Sequence, residues 1–268
     1  MLSIDGVHIE NDLGLHLLQD SDETALPQVR DNTVTIPGRH GAYSFDSYLE
    51  PRQFFEYILI PTQATLNDVQ KIVRKVSTLL LDQYGKPKEV KLVFDYEPDK
   101  FYKAKFSGFI SINRIAKAGI FPIPFKAYDP YAYSNVFAND ITWGSKVVTF
   151  QDNYLLGDKG TSTGEKITRS KVIEIYNYGY TVRPTFIIKG SANDLKVSTN
   201  GKAFTLKTFA DKTYEIDGEK CTVKNGNLNA FSDMIGEFLE ITPEDNMISI
   251  DGNNIDIELT IKYRFKHM

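Results

Sequence analysis

The residues of this chain that could do chemistry are few, and they are scattered. Gly38, Arg39, His40 and Gly41 form a glycine-framed basic loop within "IPGRHGAYSFDSYLEPRQFFEYILI", and such a loop can cradle a phosphate or hold a catalytic base. The other histidines are His8, His16 and His267, and none forms an HExxH or HxH pair that would set two ligands on one metal. His16, in "GLHLL", reads as a partly buried packing residue, and His267 as a terminal bystander. Cys221 is the only cysteine, which excludes an intrachain disulfide and any cysteine-based zinc cluster. In "KCTVK" it reads as a small buried hydrophobe on a strand. Asp251, Asn253, Asn254 and Asp256 of "DGNNIDIE" invite a calcium assignment, but the EF-hand spacing and its glycine are missing, so a tight turn is the better reading. Carboxylates are plentiful, yet no two stand out as an acid and base pair. Trp143, in "NDITWGSK", suits either a sugar-stacking platform or a core or strand-edge position. No GxSxG, P-loop or dinucleotide fingerprint occurs. The expectation is a chain without catalytic, metal or cofactor residues.

The elements that must position these residues are mostly strands. The chain has 268 residues, enough for two domains each with a core of its own. Its aromatic share of 12% is carried by 17 Phe and 15 Tyr and favours β-structure or protein interfaces. A formal net charge of -4 gives no support to a nucleic-acid footprint. The opening "MLSIDGVHIEND" resembles neither a signal peptide nor a membrane anchor, which predicts a chain made and folded in a reducing cytoplasm. One stretch predicts a helix, from about Leu66 to Asp82. Leu66, Val69, Ile72, Val73, Val76, Leu79 and Leu80 share its apolar face, Thr65 is its N-cap, and Gly85 and Pro87 supply its stop. "FFEYILI" precedes it as a strand, and "EVKLVFDY", "FYKAKFSGFI", "SINRIAKA" and "IFPIPFKAY" follow. Pro122 and Pro124 predict an edge position for the last of these. From Val147 onward short strands recur, with "NYG", "KGSAND", "TNGK", "DGEK", "KNGN" and "DGNN" as turn signals, a pattern that predicts a β-sandwich or barrel. Leu156 to Ser170 reads as a surface loop rich in Gly, Thr and Lys.

In order and spacing these segments resemble one family along essentially the whole chain. "IDGVHI" opens it, and "IPGRHGAYSF" stands where the family has a Val/Ile-Pro-Gly-Arg-Asp-Gly loop. The helix, "YKAKFSGFISI" and the "FKAYDPYAYS" junction follow. "IYNYGYTVRPTFIIKG" and "ITPEDNMISI" match the start of the second domain and a Pro-Gly-x-Asn turn. The chain resembles the distal tail proteins (Dit) of long-tailed, non-contractile bacteriophages, in their compact form without inserted carbohydrate-binding modules. His40 departs from the usual Asp or Asn, and Glu244 from a common Gly, which predicts a slightly different turn at the latter.

The resemblance implies a mainly β fold: an α+β N-terminal domain with one helix over residues 1–133, then a galectin-like β-sandwich over 134–268. It implies a structural hub and not an enzyme: a homo-hexameric ring at the tail tip, assembled in the host cytoplasm. The ring joins the major tail tube protein and tape measure protein to the tail-associated fibre or lysin protein and to receptor-binding or baseplate proteins. Nucleic acid meets it only by passage through the channel. Arg39, His40 and Tyr43 are the expected contacts between subunits. A carbohydrate-binding β-sandwich using tyrosines and Trp143 is the alternative from a different class.

Overall fold

The computed structural model describes every residue except 19, 20, 64, 116 and 141–163. The chain divides into two units, Met1–Ala132 together with Met268, and Tyr133–His267. Both are built mainly of strands, with one main helix in the first.

In the first unit, β1 (Leu2–Ile4) turns through Asp5 and Gly6, both at positive φ, into β2 (Val7–His8). A short helix, α1 (Ile9–Leu13), follows; its N-cap is His8, whose Nδ1 accepts from the Asn11 N–H, and so brief a helix carries no periodic signal. Next come β3 (His16–Leu17), β4 (Asp22–Glu23), β5 (Val29–Val34), β6 (Tyr43–Leu49) and β7 (Arg52–Ile60). The helix α2 (Leu66–Leu80) leads to β8 (Glu89–Phe94), β9 (Lys100–Phe106), β10 (Asn113–Ile115) and β11 (Ala118–Ala127). The main sheet runs β2-β1-β8-β9-β11-β7-β3, with β10 on β11 and β4 on β7, while β5 and β6 form a sheet of their own.

The core follows from alternation. Along β7 Phe54, Ile58 and Ile60 point inward, and along β11 Phe121, Ile123, Phe125 and Ala127 do the same. Helix α2 lays Val69, Val76 and Leu80 into this cluster, with Ile72 and Val73 partly covered at its margin. Leu66, placed on the apolar face by spacing, is instead exposed. Thr65 caps the helix, accepting from the Asp68 N–H and donating to the Asp68 carboxylate. The stop differs from expectation. Leu81 goes extended and bridges to Pro87, so Gly85 (φ +74°) serves the turn beyond the helix rather than its C-cap.

The prolines of β11 correct a second expectation. The strand is internal, paired with β7 from Gly119 to Ala127, with β10 at Ala118–Ile120 and with β9 at Phe125–Lys126. Pro122 and Pro124 share one parity, and pairing lapses at 121–124 on the side away from β7. The two missing donors therefore fall where no ladder asks for them.

In the second unit β12 (Ala132–Ser134) is followed by β13 (Glu165–Ile167), β14 (Lys171–Asn177), β15 (Thr185–Thr199), β16 (Lys202–Leu206), β17 (Phe209–Asp217), β18 (Thr222–Asn225), β19 (Leu228–Asn229), β20 (Met234–Gly236), β21 (Glu244–Lys262) and β22 (Lys266–His267). Two long strands organise it. Thr185–Ala192 of β15 pairs with β17 and Leu195–Thr199 with β16, while β21 accompanies β15 along its length and takes β13 and β14 in turn on its far side. Two half-sheets thus share both long strands and bury their inward residues, among them Phe186, Leu195, Phe204, Tyr214, Ile250 and Ile257, in one cluster. This is a sandwich whose corner is made by strands that pass from one half to the other through bulges.

That corner corrects two expected turns. "KGSAND" and "DGNN" do not reverse the chain; they are the bulged bends of β15 and β21, with Gly190, Asp194 and Asn254 at positive φ. A Cβ on Gly190 would meet the Asp256 carbonyl oxygen at 2.2 Å, so the bend needs glycine there. The Asn200–Gly201 hairpin forms as expected, both residues at positive φ. Leu156 to Ser170 is not a loop throughout: Glu165–Ile167 is a strand on β21, and 156–163 lie outside the described residues.

The "ITPEDNMISI" turn is held by Asn246, almost fully buried, whose amide donates to the Thr242 and Glu244 carbonyls. Its Oδ1 accepts from the Thr242 N–H and from Asn200 of the neighbouring hairpin. Glu244 has φ +72°, a conformation that glycine favours. Because that conformation strains a residue with a Cβ, Glu244→Gly is expected to stabilise the protein by about 1 kcal/mol, read as a higher urea midpoint at unchanged slope.

Candidate assembly surface

Residues 28–49 are all exposed, although they include Val29, Val34, Ile36, Tyr43, Phe45, Tyr48 and Leu49. They form an antiparallel arm in which Val29 faces Leu49, Arg30 faces Tyr48 and Val34 faces Tyr43. The segment Pro37 to Glu50 is therefore not simply a loop, since Tyr43–Leu49 is its returning strand. A two-stranded sheet has two open edges and too little burial to be stable alone in water. Phe45 is 64% exposed and Tyr48 50%, more apolar surface than an isolated element of a monomer normally presents.

Gly38 and Gly41, at φ +80° and +83°, turn the tip of the arm. Arg39 lies over the Tyr43 ring, 4.5 Å from its centroid, and donates to the Tyr43 hydroxyl. The structure thus joins Arg39 and Tyr43 into one feature, with His40 exposed beside them. The pairing presents the guanidinium and ring as a preformed, flat contact. At the root, Arg30 and Glu50 form an ion pair at 3.3 Å, the Glu50 N–H donates to the Gln28 carbonyl, and an open groove is lined by Gln28, Arg30, Glu50, Gln53, Phe55 and Lys126.

The remaining sequence candidates go elsewhere. His16 is exposed and paired with Glu10 (3.0 Å), not packed, because β3 lies at the sheet edge. Cys221 is exposed at φ +52° in the turn between β17 and β18, not buried on a strand. Trp143 lies outside the described residues. Among the described residues no group of three His, Cys, Asp or Glu side chains could hold a metal ion.

Residues 10–127, which span the arm, the helix and most of the main sheet, match the family described as the phage tail protein RIFT-related domain. No curated protein matches the chain in sequence. Among solved structures, the Dit protein of phage SPP1, described as a paradigm of the hub adsorption apparatus in phages infecting Gram-positive hosts, is similar over 98% of both chains, with a TM-score of 0.67 at 15% identity. Two structures of the phage p2 baseplate in its activated conformation, one with Ca and one with Sr, align over 96% and 94% of this chain and 92% of theirs, at 13% identity and TM-scores of 0.44 and 0.45. Over residues 10–127 the chain is thus similar in sequence to a phage tail RIFT-related domain. The likeness to the SPP1 Dit protein, at 15% identity, is one of fold.

Proposed function

We propose that this protein is the hub of a siphophage tail tip. It forms a six-membered ring that connects the tail tube to the tail fibre or lysin protein and to the host-adhesion device, and it has no catalytic role. The observation that carries this reading is the exposed apolar arm of the first unit. An element that cannot bury its aromatic residues in its own subunit finds that burial on a neighbouring copy. One arm reaching one neighbour is a head-to-tail contact, which closes into a ring when the rotation per subunit divides a full turn. Arg39, His40 and Tyr43 at the tip are the proposed contacts, and the galectin-like second unit is left to meet adhesion proteins. A place among tail proteins is supported by the match of residues 10–127 to a phage tail domain.

The test is the double variant Arg39→Ala with Tyr43→Ala. Both side chains are exposed, so thermal stability of the free chain should change by less than about 0.5 kcal/mol. Ring formation in assembled tails should be lost, with defective tails as the result. Normal rings and infectious tails from this variant would remove the tip from the interface. One or two copies per tip by cryo-microscopy would remove the ring itself.

A further inference from the structure

The groove at the root of the arm holds an aromatic ring and a carboxylate that their own unit leaves uncovered. Phe55 lies on the outward face of β7, 39% exposed, and Asp22 of β4 stands directly opposite it in the ladder. Such cross-strand partners share one face, with their Cβ atoms about 5 Å apart. Asp22 is exposed, and among the described residues its carboxylate has no hydrogen bond or ion pair. The other charges of the groove are engaged. Glu50 is paired with Arg30, and the Lys126 ammonium stands 5.4 Å from the centre of the Tyr128 ring. Asp22 is the carboxylate left for an incoming cation.

The tip of the arm presents the complementary pair. Arg39 spends one guanidinium nitrogen on the Tyr43 hydroxyl, which leaves donors of its planar fork for a second acceptor. The guanidinium lies 4.5 Å from the centre of the Tyr43 ring, a separation close to that of Asp22 and Phe55 across their ladder. One docking therefore sets guanidinium against carboxylate and ring against ring.

The tip does not reach the groove of its own subunit. From Val29 to the turn at Gly38 the paired arm extends about 30 Å at the rise of an antiparallel strand, and the groove lies at its root. A compact unit of the size of Met1–Ala132 is about 35 Å across, so equivalent points on two touching copies are about one arm's length apart. Tip-to-root contact is also head-to-tail, and each copy both gives a tip and receives one.

We propose that the groove at the arm root is the acceptor for the arm tip of a second copy of this chain, with Arg39 of one copy on Asp22 of the next and Tyr43 on Phe55. The inference rests on the ring reading above and adds to it the surface on which the arm lands.

Exchanging the two charges tests it in assembled tails. Asp22→Arg alone and Arg39→Asp alone should each lower the yield of infectious tails about 30-fold, and the two together should return it to within about threefold of wild type. Both positions are exposed, and thermal unfolding of the free chain checks that each variant folds. A second test reads the contact directly and leaves the four residues intact. In a Cys221→Ser background, His40→Cys at the tip and Gln53→Cys in the groove should be linked by a short bismaleimide, giving a ladder above the monomer on a denaturing gel of assembled tails. The number of copies per tip by cryo-microscopy scores the ring separately. Full infectivity of Asp22→Arg, no rescue by the double exchange, or complete rings whose cysteines link only within one chain or not at all would each overturn the groove and leave the ring standing. One or two copies per tip would overturn both.

Discussion

Val76→Asp is expected to destabilise the first unit by about 3–5 kcal/mol, enough to leave a domain of ordinary stability largely unfolded at 37 °C. Val76 is 3% exposed on the inner face of α2, packed in the same cluster as Val69 and Leu80. An aspartate there either buries an unpaired charge or is protonated at the cost of a raised pKa, and in both cases the valine's burial is lost. The control is Arg74→Asp, at an exposed position of the same helix, which should stay within about 0.5 kcal/mol of wild type. Urea unfolding of both variants makes the comparison. Equal midpoints for Val76→Asp and wild type would mean that α2 is not seated on the sheet.

That helix also shows why part of the fold was legible in the sequence. An amphipathic helix states its face by spacing and its start by a cap, and both are local properties. Val69, Val76 and Leu80 are buried as the spacing requires. The strands from "FFEYILI" to "IFPIPFKAY" were legible through alternation for the same reason. The end of the helix was not, because Gly85 can supply positive φ to a C-cap or to a later turn, and only the bridge from Leu81 to Pro87 decides between them.

Turn chemistry failed in a related way in the second unit. Gly190, Asp194 and Asn254 carry the residue types of chain reversals, yet they bend two long strands around a shared corner. A positive φ is a local fact, while reversal or bending depends on whether the partner strand continues, which is a long-range fact. The prolines of β11 teach the same lesson: they forbid donors on one edge, but only the lapse in pairing at 121–124 shows that an internal strand can accept them.

The arm was half legible. Its glycines, Arg39 and Tyr43 marked the tip. The strand at Tyr43–Leu49 was not read from "YSFDSYL", and in the structure all of its residues are exposed. Exposure on both faces is visible only when the rest of the unit is seen to close without it. Glu56 is the opposite case, a polar residue that alternation would place correctly on the inner face and that propensity would then discount. In sequence it stands between Phe54 and Ile58 in "FFEYILI", where an inward parity was its only signal.

Glu56→Gln is expected to stabilise the protein by about 3 kcal/mol at pH 8 and by little at pH 4.5. The sign follows from proton binding. Glu56 titrates at about 7 in the folded chain and at the ordinary 4.5 in the unfolded one. Between those values the native state holds a proton that the unfolded state has lost, so stability falls as pH rises through this window and levels off above 7. The full difference, 2.5 pH units, corresponds to about 3 kcal/mol. Glutamine keeps the shape and cannot ionise, so it matches the neutral carboxyl at low pH and escapes the penalty at high pH. Asp217 and Glu240 shift in the other direction, their carboxyls held down by Lys220 and by Lys202 with Arg183, and their contribution is lost as pH falls. Both are unchanged in the variant, so the difference between the two unfolding curves, taken pH by pH, isolates Glu56. A difference that stays constant from pH 4.5 to 8 would mean that Glu56 is solvated in the native state, and that the core of β7 is open to water where it is closed in this structure.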